Sequence, residues 1–424
     1  MILSFLILSS LVLTSSAAQV PAGGSLTLEE AYAAAKSQSE SLAASAAGVS
    51  EAEARVRELW GAVQPNLTLQ GSEFLQDSAG SGGGVQSTLT RRDRPEAKLA
   101  LTQPIFSGFR EYLALKAAKA KNRVLAGDLE RATSLLYRDV ARAYFDLAEV
   151  QHELATRRST IELTAGRVKD LEGRARLGRS RASEVLQARV QLAQLQAQLP
   201  DAEGRERAAQ EVLSFLTGLA GPNAPGEPDA VAAPDLSEAL RRALARGDVD
   251  ARREERDGAL FLETAQRRER WPSASLAGAY YLKRTGFQED IRWDVTLTAS
   301  LPLFAGGAIG ARIDQAGSRV KAAERRLSGA RRQAESEARR THALLGAELD
   351  RSKALEEAAR LAEENSKAQG EDYKLGVVTN LDVLGALTAL QNARLDLERS
   401  RFEAAFGRAA LEAACGGPEG RSER

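Results

Sequence analysis

Two short motifs each occur twice in this chain, and this duplication limits the possible folds more than any other feature. The first is Pro-[Ile/Leu]-Phe-x-Gly, at 104–108 and 302–306, and the second is Leu-Gly-x5-[Glu/Asp]-Val-Leu, at 177–186 and 375–384. Both pairs are 198 residues apart, from 104 to 302 and from 177 to 375. A constant separation across two different motifs indicates two structural repeats, which we place at 19–217 and 235–414 with a Pro- and Gly-rich linker at 218–234.

A change from helical periodicity to strict alternation predicts a strand pair in each repeat. Helices are predicted from Leu28 to Trp60 and from Leu236 to Trp271, followed by β-hairpins at 66–103 and 273–301. Each strand is about ten residues long, with one apolar and one polar face, as in a water-filled barrel that crosses a bilayer. A soluble hairpin on a helical core is the alternative.

Aromatic residues near the strand ends and polar connecting loops favour the membrane interpretation, because such residues form girdles at both bilayer surfaces. The aromatic residues are Phe74, Phe106, Trp271, Tyr280, Tyr281, Trp293 and Phe304.

A helix of unusual length follows each Pro-[Ile/Leu]-Phe-x-Gly motif, which we interpret as the turn from strand to helix. The turn residues are Pro104, Phe106, Gly108, Pro302, Phe304 and Gly306. Coiled-coil spacing predicts long helical hairpins at 110–217 and 308–414. The outgoing helix of roughly 64 residues would span about 95 Å, more than any compact domain. Pro200 is predicted to break the first returning helix.

The Leu-Gly motif predicts a tight reversal at the tip of each helical hairpin. Gly178 and Gly376 stand where the outgoing helix must end. Glu184 and Asp382 fall in the first turn of the returning helix, where Ser183 is a candidate cap. Capping alone explains both acids, and lining a pore constriction is a second, compatible role. The first tip is also basic, which fits either partner binding or a solvated tip, with Arg174, Arg176, Arg179 and Arg181.

Composition and isolated histidines argue against several functions. The formal net charge is +0, so no net field favours nucleic acid. His152 and His342 lie apart, and no Cys/His cluster or phosphate loop is present, so we expect no enzyme activity, no cofactor and no metal.

The two ends of the sequence carry predictions of their own. The apolar run from residue 2 to residue 13 predicts a signal peptide at 1–18, with a membrane anchor as the alternative. We expect a disordered tail at 415–424, which contains the single cysteine, Cys415.

Four strands per chain cannot enclose a lumen, and an open sheet edge cannot face lipid because its backbone groups would lack hydrogen bonds. Assembly is therefore required if the strands lie in a membrane. Three chains would give twelve strands, although the sequence does not fix that number.

The duplicated motifs and the Leu28-Glu29-Glu30-Ala31 start resemble the outer membrane efflux protein family, the TolC-like channels, over about 26–414. The resemblance implies a mainly α fold with membrane β: a homotrimer in which four strands per chain form a 12-stranded transmembrane β-barrel, continuous with a periplasmic α-helical barrel. It implies the outer membrane of a Gram-negative-type cell, with lipid around the barrel and no nucleic acid.

The implied function is the passive exit channel of a tripartite efflux or type I secretion system, docked to an inner-membrane pump through a periplasmic adaptor. The alternative is a secreted or periplasmic coiled-coil scaffold without channel activity. Substrate is not indicated.

Position by position, the resemblance gives the tips two roles. Asp382 and Glu184 would line the periplasmic constriction. The adaptor would dock on Leu177, Gly178, Ser183, Glu184, Leu375, Gly376 and Asp382. Some family members carry a second acid three residues after the position of Asp382, but this chain has Gly385 there. A double acidic ring is therefore not expected.

Overall fold

The computed structural model describes residues 26–77, 93–219, 225–226, 231–285 and 288–418. The predicted signal peptide lies outside the described residues, as do the glycine-rich loop of the first hairpin, most of the linker, and residues 419–424 of the tail.

Within the described residues the chain forms eight α-helices and four β-strands. The first repeat contains α1 (Leu28–Gln38), α2 (Glu40–Gly61), β1 (Asn66–Leu75), β2 (Asp93–Phe106), α3 (Arg110–Arg176) and α4 (Ala182–Thr217). The second contains α5 (Leu236–Leu244), α6 (Gly247–Arg267), a 3-10 turn (Arg268–Arg270), β3 (Ser273–Lys283), β4 (Trp293–Ser300), α7 (Ala308–Leu375) and α8 (Asn380–Ala414). Among these described helices, none is both long and apolar enough to cross a bilayer.

The helix that precedes each hairpin is divided in two, so the prediction of one continuous helix there is wrong. Thr27 begins α1 with a capping box, since its hydroxyl accepts from the Glu30 amide and the Glu30 carboxylate accepts from the Thr27 amide at 2.9 Å. Ser39 then takes an extended conformation (φ −70°, ψ 105°) and ends α1. Arg246 (φ −66°, ψ 149°) separates α5 from α6 in the same way. Periodicity identifies helical residues but does not reveal a break of one or two residues between two helices.

The returning helix α4 runs through Pro200 without a break, so the predicted break is also wrong. Proline removes one backbone hydrogen bond. The residues around it are held from the side, because Leu199 and Ala202 pack against Val150 and Leu154 of α3.

The structure separates into two compact units. The sheet unit comprises Ser41–Ala132 and Leu240–Glu337, and the tip unit comprises Met1–Glu40, Thr133–Ala239 and Ala338–Arg424, in each case as far as described. The sheet unit holds β1 to β4, and the tip unit holds both helix tips.

The sheet is antiparallel and joins the two repeats in the order β1-β2-β3-β4. Asn66 pairs with Thr102, Thr102 with Ala277, and Ala277 with Thr296, so one row crosses all four strands. In the described chain, β1 pairs only with β2 and β4 only with β3. The sheet therefore presents two open edges.

The register collects the apolar side chains on one face of the sheet. One cross-strand row is Leu69, Leu99, Tyr280 and Trp293. Leu69 is 70% exposed and Trp293 is 65% exposed. A row of large apolar side chains left this open marks a surface that is covered by something other than water.

The opposite face is polar, and two of the expected girdle aromatics lie on it. The Tyr281 hydroxyl donates to Asp294 at 2.8 Å, and the ammonium of Lys98 lies 5.7 Å from the Tyr281 ring centroid. Phe74 lies on this face too, with the Arg94 guanidinium 4.7 Å from its ring centroid.

The main core of the tip unit joins α1, α3, α4 and α8 around Leu147, Leu213 and Phe402, each at most 1% exposed. A second cluster encloses Cys415, which is 6% exposed and packs with Leu411. The packed chain therefore extends past the predicted start of the tail at 415.

Candidate functional site at the helix tips

Both helix tips reverse the chain with the same backbone geometry. Gly178 and Gly376 adopt left-handed conformations, with φ values of 70° and 76°. At the first tip, the Arg179 amide donates to the Arg174 carbonyl at 2.8 Å, and the equivalent bond at the second tip measures 3.0 Å. This is the pattern of a Schellman C-cap, which favours glycine. The glycines end the outgoing helices as predicted.

The returning helices begin differently at the two tips. At the second tip, Thr379 is the N-cap of α8, and the Asp382 carboxylate accepts from the Thr379 amide at 2.8 Å and from its hydroxyl at 2.6 Å. At the first tip, Arg181 is the N-cap of α4 and makes no side-chain cap bond. Ser183 lies inside α4, two residues after the N-cap, so the prediction that it caps the helix is wrong.

Asp382 is fully exposed, and its carboxylate is held in the ionised form. The hydroxyl and amide of Thr379 donate to it and lower the pKa of Asp382 below its ordinary value. Helix capping accounts for this acid locally, as the sequence allowed.

Glu184 is half-buried between the two tips. Its carboxylate accepts from the Ser180 hydroxyl at 2.5 Å and lies 3.5 Å from the Tyr373 hydroxyl of the other tip. The structure thus places one predicted site residue in contact with a residue of the opposite hairpin that the sequence analysis did not identify.

A buried polar contact also joins α3 to the start of α8. Asn380 is 0% exposed, and its side-chain oxygen accepts from Nε of Arg167 at 3.1 Å. The Arg167 guanidinium carbon lies 3.9 Å from the Tyr373 ring centroid. Burial lowers the pKa of Arg167, and its Nη2 atom is buried without a hydrogen-bond partner among the described residues. The two hairpins are therefore joined here by a buried polar contact that leaves one guanidinium nitrogen of Arg167 without a partner among the described residues.

An apolar cluster lies beneath these polar groups and fixes the two tips to each other. Val168, Leu171, Tyr373, Val383 and Leu384 are each at most 9% exposed. Both hairpins contribute to this cluster, so the tips form one surface.

The predicted docking residues are mostly exposed on that surface. Leu177 is 72% exposed and Leu375 is 78% exposed, and both stand beside the glycine of their turn. Large apolar residues open to solvent at a helix end are typical of a contact surface.

The predicted strand-to-helix turns lie in the sheet unit. Pro104 and Phe106 belong to β2, so the first turn itself begins after them. Gly108 has φ 70°, and a Cβ there would lie 3.1 Å from the Arg268 carbonyl oxygen. Phe304 is 91% exposed and Gly306 has φ 57°, while Pro302 lies two residues after Ser300, the last residue of β4.

Sequence reasoning missed Thr379, Tyr373, Asn380 and Arg167. The spacing Thr379-x-x-Asp382 is a capping-box signature and could have identified the cap. No sequence signal pairs Arg167 with Asn380, because their contact depends on which helices become neighbours.

We expect opposite effects from cap substitutions at the two tips. Thr379→Ala removes a cap worth about 1 kcal/mol and speeds amide hydrogen exchange in the first turn of α8 by about fivefold. Arg181→Thr creates a capping box with Glu184 and slows exchange in the first turn of α4. Hydrogen exchange followed by mass spectrometry measures both, and equal exchange in wild type and variants would contradict the assigned caps.

In the part of the chain that the structure describes, no group of three or more His, Cys, Asp or Glu side chains is arranged to hold a metal ion. Nε2 of His342 lies 2.9 Å from the carbonyl oxygen of Pro234. His152 packs beside Phe402 at 5.1 Å between ring centroids.

Comparison with known proteins gives consistent matches over nearly the whole chain. The sequence profile described as "Outer membrane efflux protein" matches residues 31–219 and 231–417, one stretch for each repeat. Outer membrane protein TolC of Escherichia coli (strain K12) is 26% identical over 411 residues, covering 92% of this chain and 82% of that protein.

Solved structures share the fold. The structure of the transmembrane channel protein CusC aligns with a TM-score of 0.81 at 20% identity, and the alignment covers 92% of each chain. The outer membrane protein VceC of Vibrio cholerae aligns with a TM-score of 0.78 at 21% identity, covering 92% of this chain and 96% of that one.

Proposed function

This chain belongs to the outer membrane efflux protein family, and we propose that it closes as a homotrimer into the passive exit channel of a tripartite efflux or type I secretion system. As a member of that family it is an outer-membrane efflux channel with a large periplasmic helical part. The trimer, the passive mechanism and the docking partners are the parts that we propose.

The open sheet edges carry the proposal of a closed assembly, and membership of the family supports three copies. In the described chain, β1 and β4 have no neighbour on their outer sides, and a sheet edge in lipid leaves backbone groups without hydrogen bonds. Pairing β4 of one copy with β1 of the next removes every edge, and three copies supply twelve strands. The exposed apolar face then faces lipid, and the polar face that carries Lys98 and Asp294 lines the lumen.

The helix tips support docking to a periplasmic adaptor that leads to an inner-membrane pump. Exposed Leu177 and Leu375 flank the turn glycines, and both tips form one surface over a shared apolar cluster. No enzyme activity is proposed, since a channel needs none, and the energy for export would come from the pump.

Purified protein in planar bilayers tests the channel. We expect discrete conductance steps in the bilayer. Light scattering of the same purified protein should give the mass of three chains. A monomeric protein that carbonate extracts from membranes, with no conductance steps, would instead favour the coiled-coil scaffold.

We propose that Asp382, together with Glu184, lines the periplasmic constriction. Asp382→Asn then removes one negative charge per subunit and weakens cation preference, which reversal potentials in a salt gradient measure. Because hydrogen bonds from Thr379 lower the pKa of Asp382, the preference should persist as pH falls through the ordinary range of an aspartate and disappear only below it.

Glu371→Gln is the matched control, since it removes the same charge from an exposed position on the same tip. An unchanged reversal potential in Asp382→Asn, or an equal shift in Glu371→Gln, would count against the constriction.

A further inference from the structure

We propose that the first helix tip selects a docking partner whose contacting segment is acidic, through Arg176, Arg179 and Arg181. These three residues are called the arginine tip below. The inference rests on the proposed function, because it takes the helix tips as the docking surface. It adds the chemistry of the partner and assigns its recognition to one tip of the two.

The turn itself does not require these arginines. The second tip makes the same reversal, with a left-handed glycine and the same amide-to-carbonyl bond, and it has Lys374, Val377 and Thr379 at the equivalent positions. Two different sets of side chains thus support one backbone geometry, so the backbone does not explain the arginines.

One of the three arginines occupies a helix N-cap, where a residue with a capping side chain would stabilise the fold more. Arg181 is the N-cap of α4 and makes no side-chain cap bond, whereas Thr379 forms a capping box at the equivalent position. A cationic residue at a helix N-terminus is also opposed by the helix dipole. Arg181 therefore costs local stability, and an explanation for it must come from outside the tip.

The arginine tip also lacks internal charge partners. Arg189 pairs with Glu172 at 2.6 Å nearby, but the three guanidinium groups form no ion pair within the described part of the chain, and all three side chains are exposed. Arg174 differs, because it is half-buried and lies 5.3 Å from the Tyr373 ring centroid. Three cations within six residues repel one another unless an anionic surface approaches.

The surroundings favour an acidic protein over an anionic bilayer as that surface. Exposed Leu177 stands between Arg176 and Arg179 in the sequence, and exposed Leu186 follows near the start of α4, which gives the mixture of apolar and charged side chains of a protein contact. The second tip carries Glu371, Asp372 and Asp382, which an anionic membrane would repel. The same acids would oppose an acidic segment placed over the second tip, so the segment would lie over the arginine tip.

The test uses the full-length channel in detergent and a synthetic helical hairpin with three glutamates at its turn, alongside a twin with three lysines. We expect the glutamate hairpin to bind about tenfold more tightly at about 50 mM salt, with the difference largely lost near about 500 mM, because salt screens exposed charges. The triple variant R176Q/R179Q/R181Q should lose the preference. The control R331Q/R339Q/R340Q removes three exposed, unpaired arginines from the described part of α7 and should keep it.

Equal affinity for both hairpins, or a preference that survives in R176Q/R179Q/R181Q, overturns the inference. Arginine-dependent binding to phosphatidylglycerol vesicles without binding to the glutamate hairpin overturns it in favour of a membrane surface. Planar-bilayer conductance separates this inference from the proposed function. A channel that conducts normally but shows no hairpin preference refutes only the acidic partner, and a protein that never conducts refutes the function.

Discussion

Gly127→Ala is expected to destabilise the protein, whereas the same substitution at Gly166 on the same helix is expected to stabilise it. Gly127 of α3 faces Gly247 of α6 within the sheet unit. A Cβ on Gly127 would overlap the carbonyl oxygen of Gly247 and lie 3.0 Å from its carbon and 3.1 Å from Cβ of Ala251. Backbone atoms cannot rotate away as a flexible side chain can, so the two helices must separate.

The expected loss at Gly127 is about 2–3 kcal/mol, the upper part of the usual range for overpacking a well-packed contact. Gly258 of α6 also lies close to α3, although less so, since its Cβ would be 3.3 Å from Cβ of Ala120. Small residues along both helices therefore allow a close approach, and one added methyl group disturbs more than its own site.

Gly166 is the matched control because it lies in α3 too, and a Cβ there would have no atom within 4 Å beyond the neighbouring backbone of its own helix. Alanine there reduces the flexibility of the unfolded chain and adds about 0.5–1 kcal/mol. Thermal unfolding midpoints, followed by circular dichroism, measure both variants. If both midpoints move in the same direction, a methyl group at position 127 does not force the two helices apart.

Gly127 also illustrates what the sequence reveals and what it conceals. The 198-residue separation, the strand alternation and the tip glycines predicted the repeats, the hairpins and both reversals, because these features depend on local backbone preference and burial pattern. A glycine inside a helix indicates only a cost in helix propensity. The contribution of Gly127 to packing depends on Gly247, which becomes its neighbour only after folding.

In the candidate site too, local features could be predicted from the sequence and contacts between hairpins could not. Gly178, Gly376, Glu184 and Asp382 were found from the motif, since turn and cap chemistry acts within a few residues. The contacts of Arg167 with Asn380 and Tyr373 join separate hairpins, so no spacing in the sequence predicts them. Arg181 is the informative exception, because a poor cap at a position where the repeat has a good one is visible only when both tips are compared.

Glu337→Gln is the second substitution with a large expected effect, because it unbalances a network of charges inside the sheet unit. Arg246, whose side chain is 3% exposed, donates to Glu337 at 2.8 Å and to Asp248 at 2.7 Å, and Arg131 donates to Glu337 at 2.7 Å. Removing one partner of a buried pair leaves a charge uncompensated, which costs about 3 kcal/mol.

Glu324→Gln is the control for this substitution, since Glu324 lies in the same helix, is exposed and forms no ion pair in the described chain. Its thermal midpoint should match wild type, while that of Glu337→Gln should fall by several degrees. Equal midpoints for the two variants would mean that the network adds no net stability.

The same network should make the stability of the protein fall in acid. Burial alone would raise the pKa of Glu337, but hydrogen bonds from Arg246 and Arg131 outweigh it and hold the pKa below its ordinary value. The pKa of Asp248 is lowered as well, because burial would raise it but the hydrogen bond and the charge of Arg246 outweigh burial. A carboxyl group with a lowered folded-state pKa contributes its full stability above the unfolded value, about 4.3 for glutamate, and loses it as pH falls through the folded value. The midpoint of wild type should therefore drop more steeply below about pH 4 than that of Glu337→Gln, which has one such group fewer, and parallel acid profiles would contradict the assigned pairing.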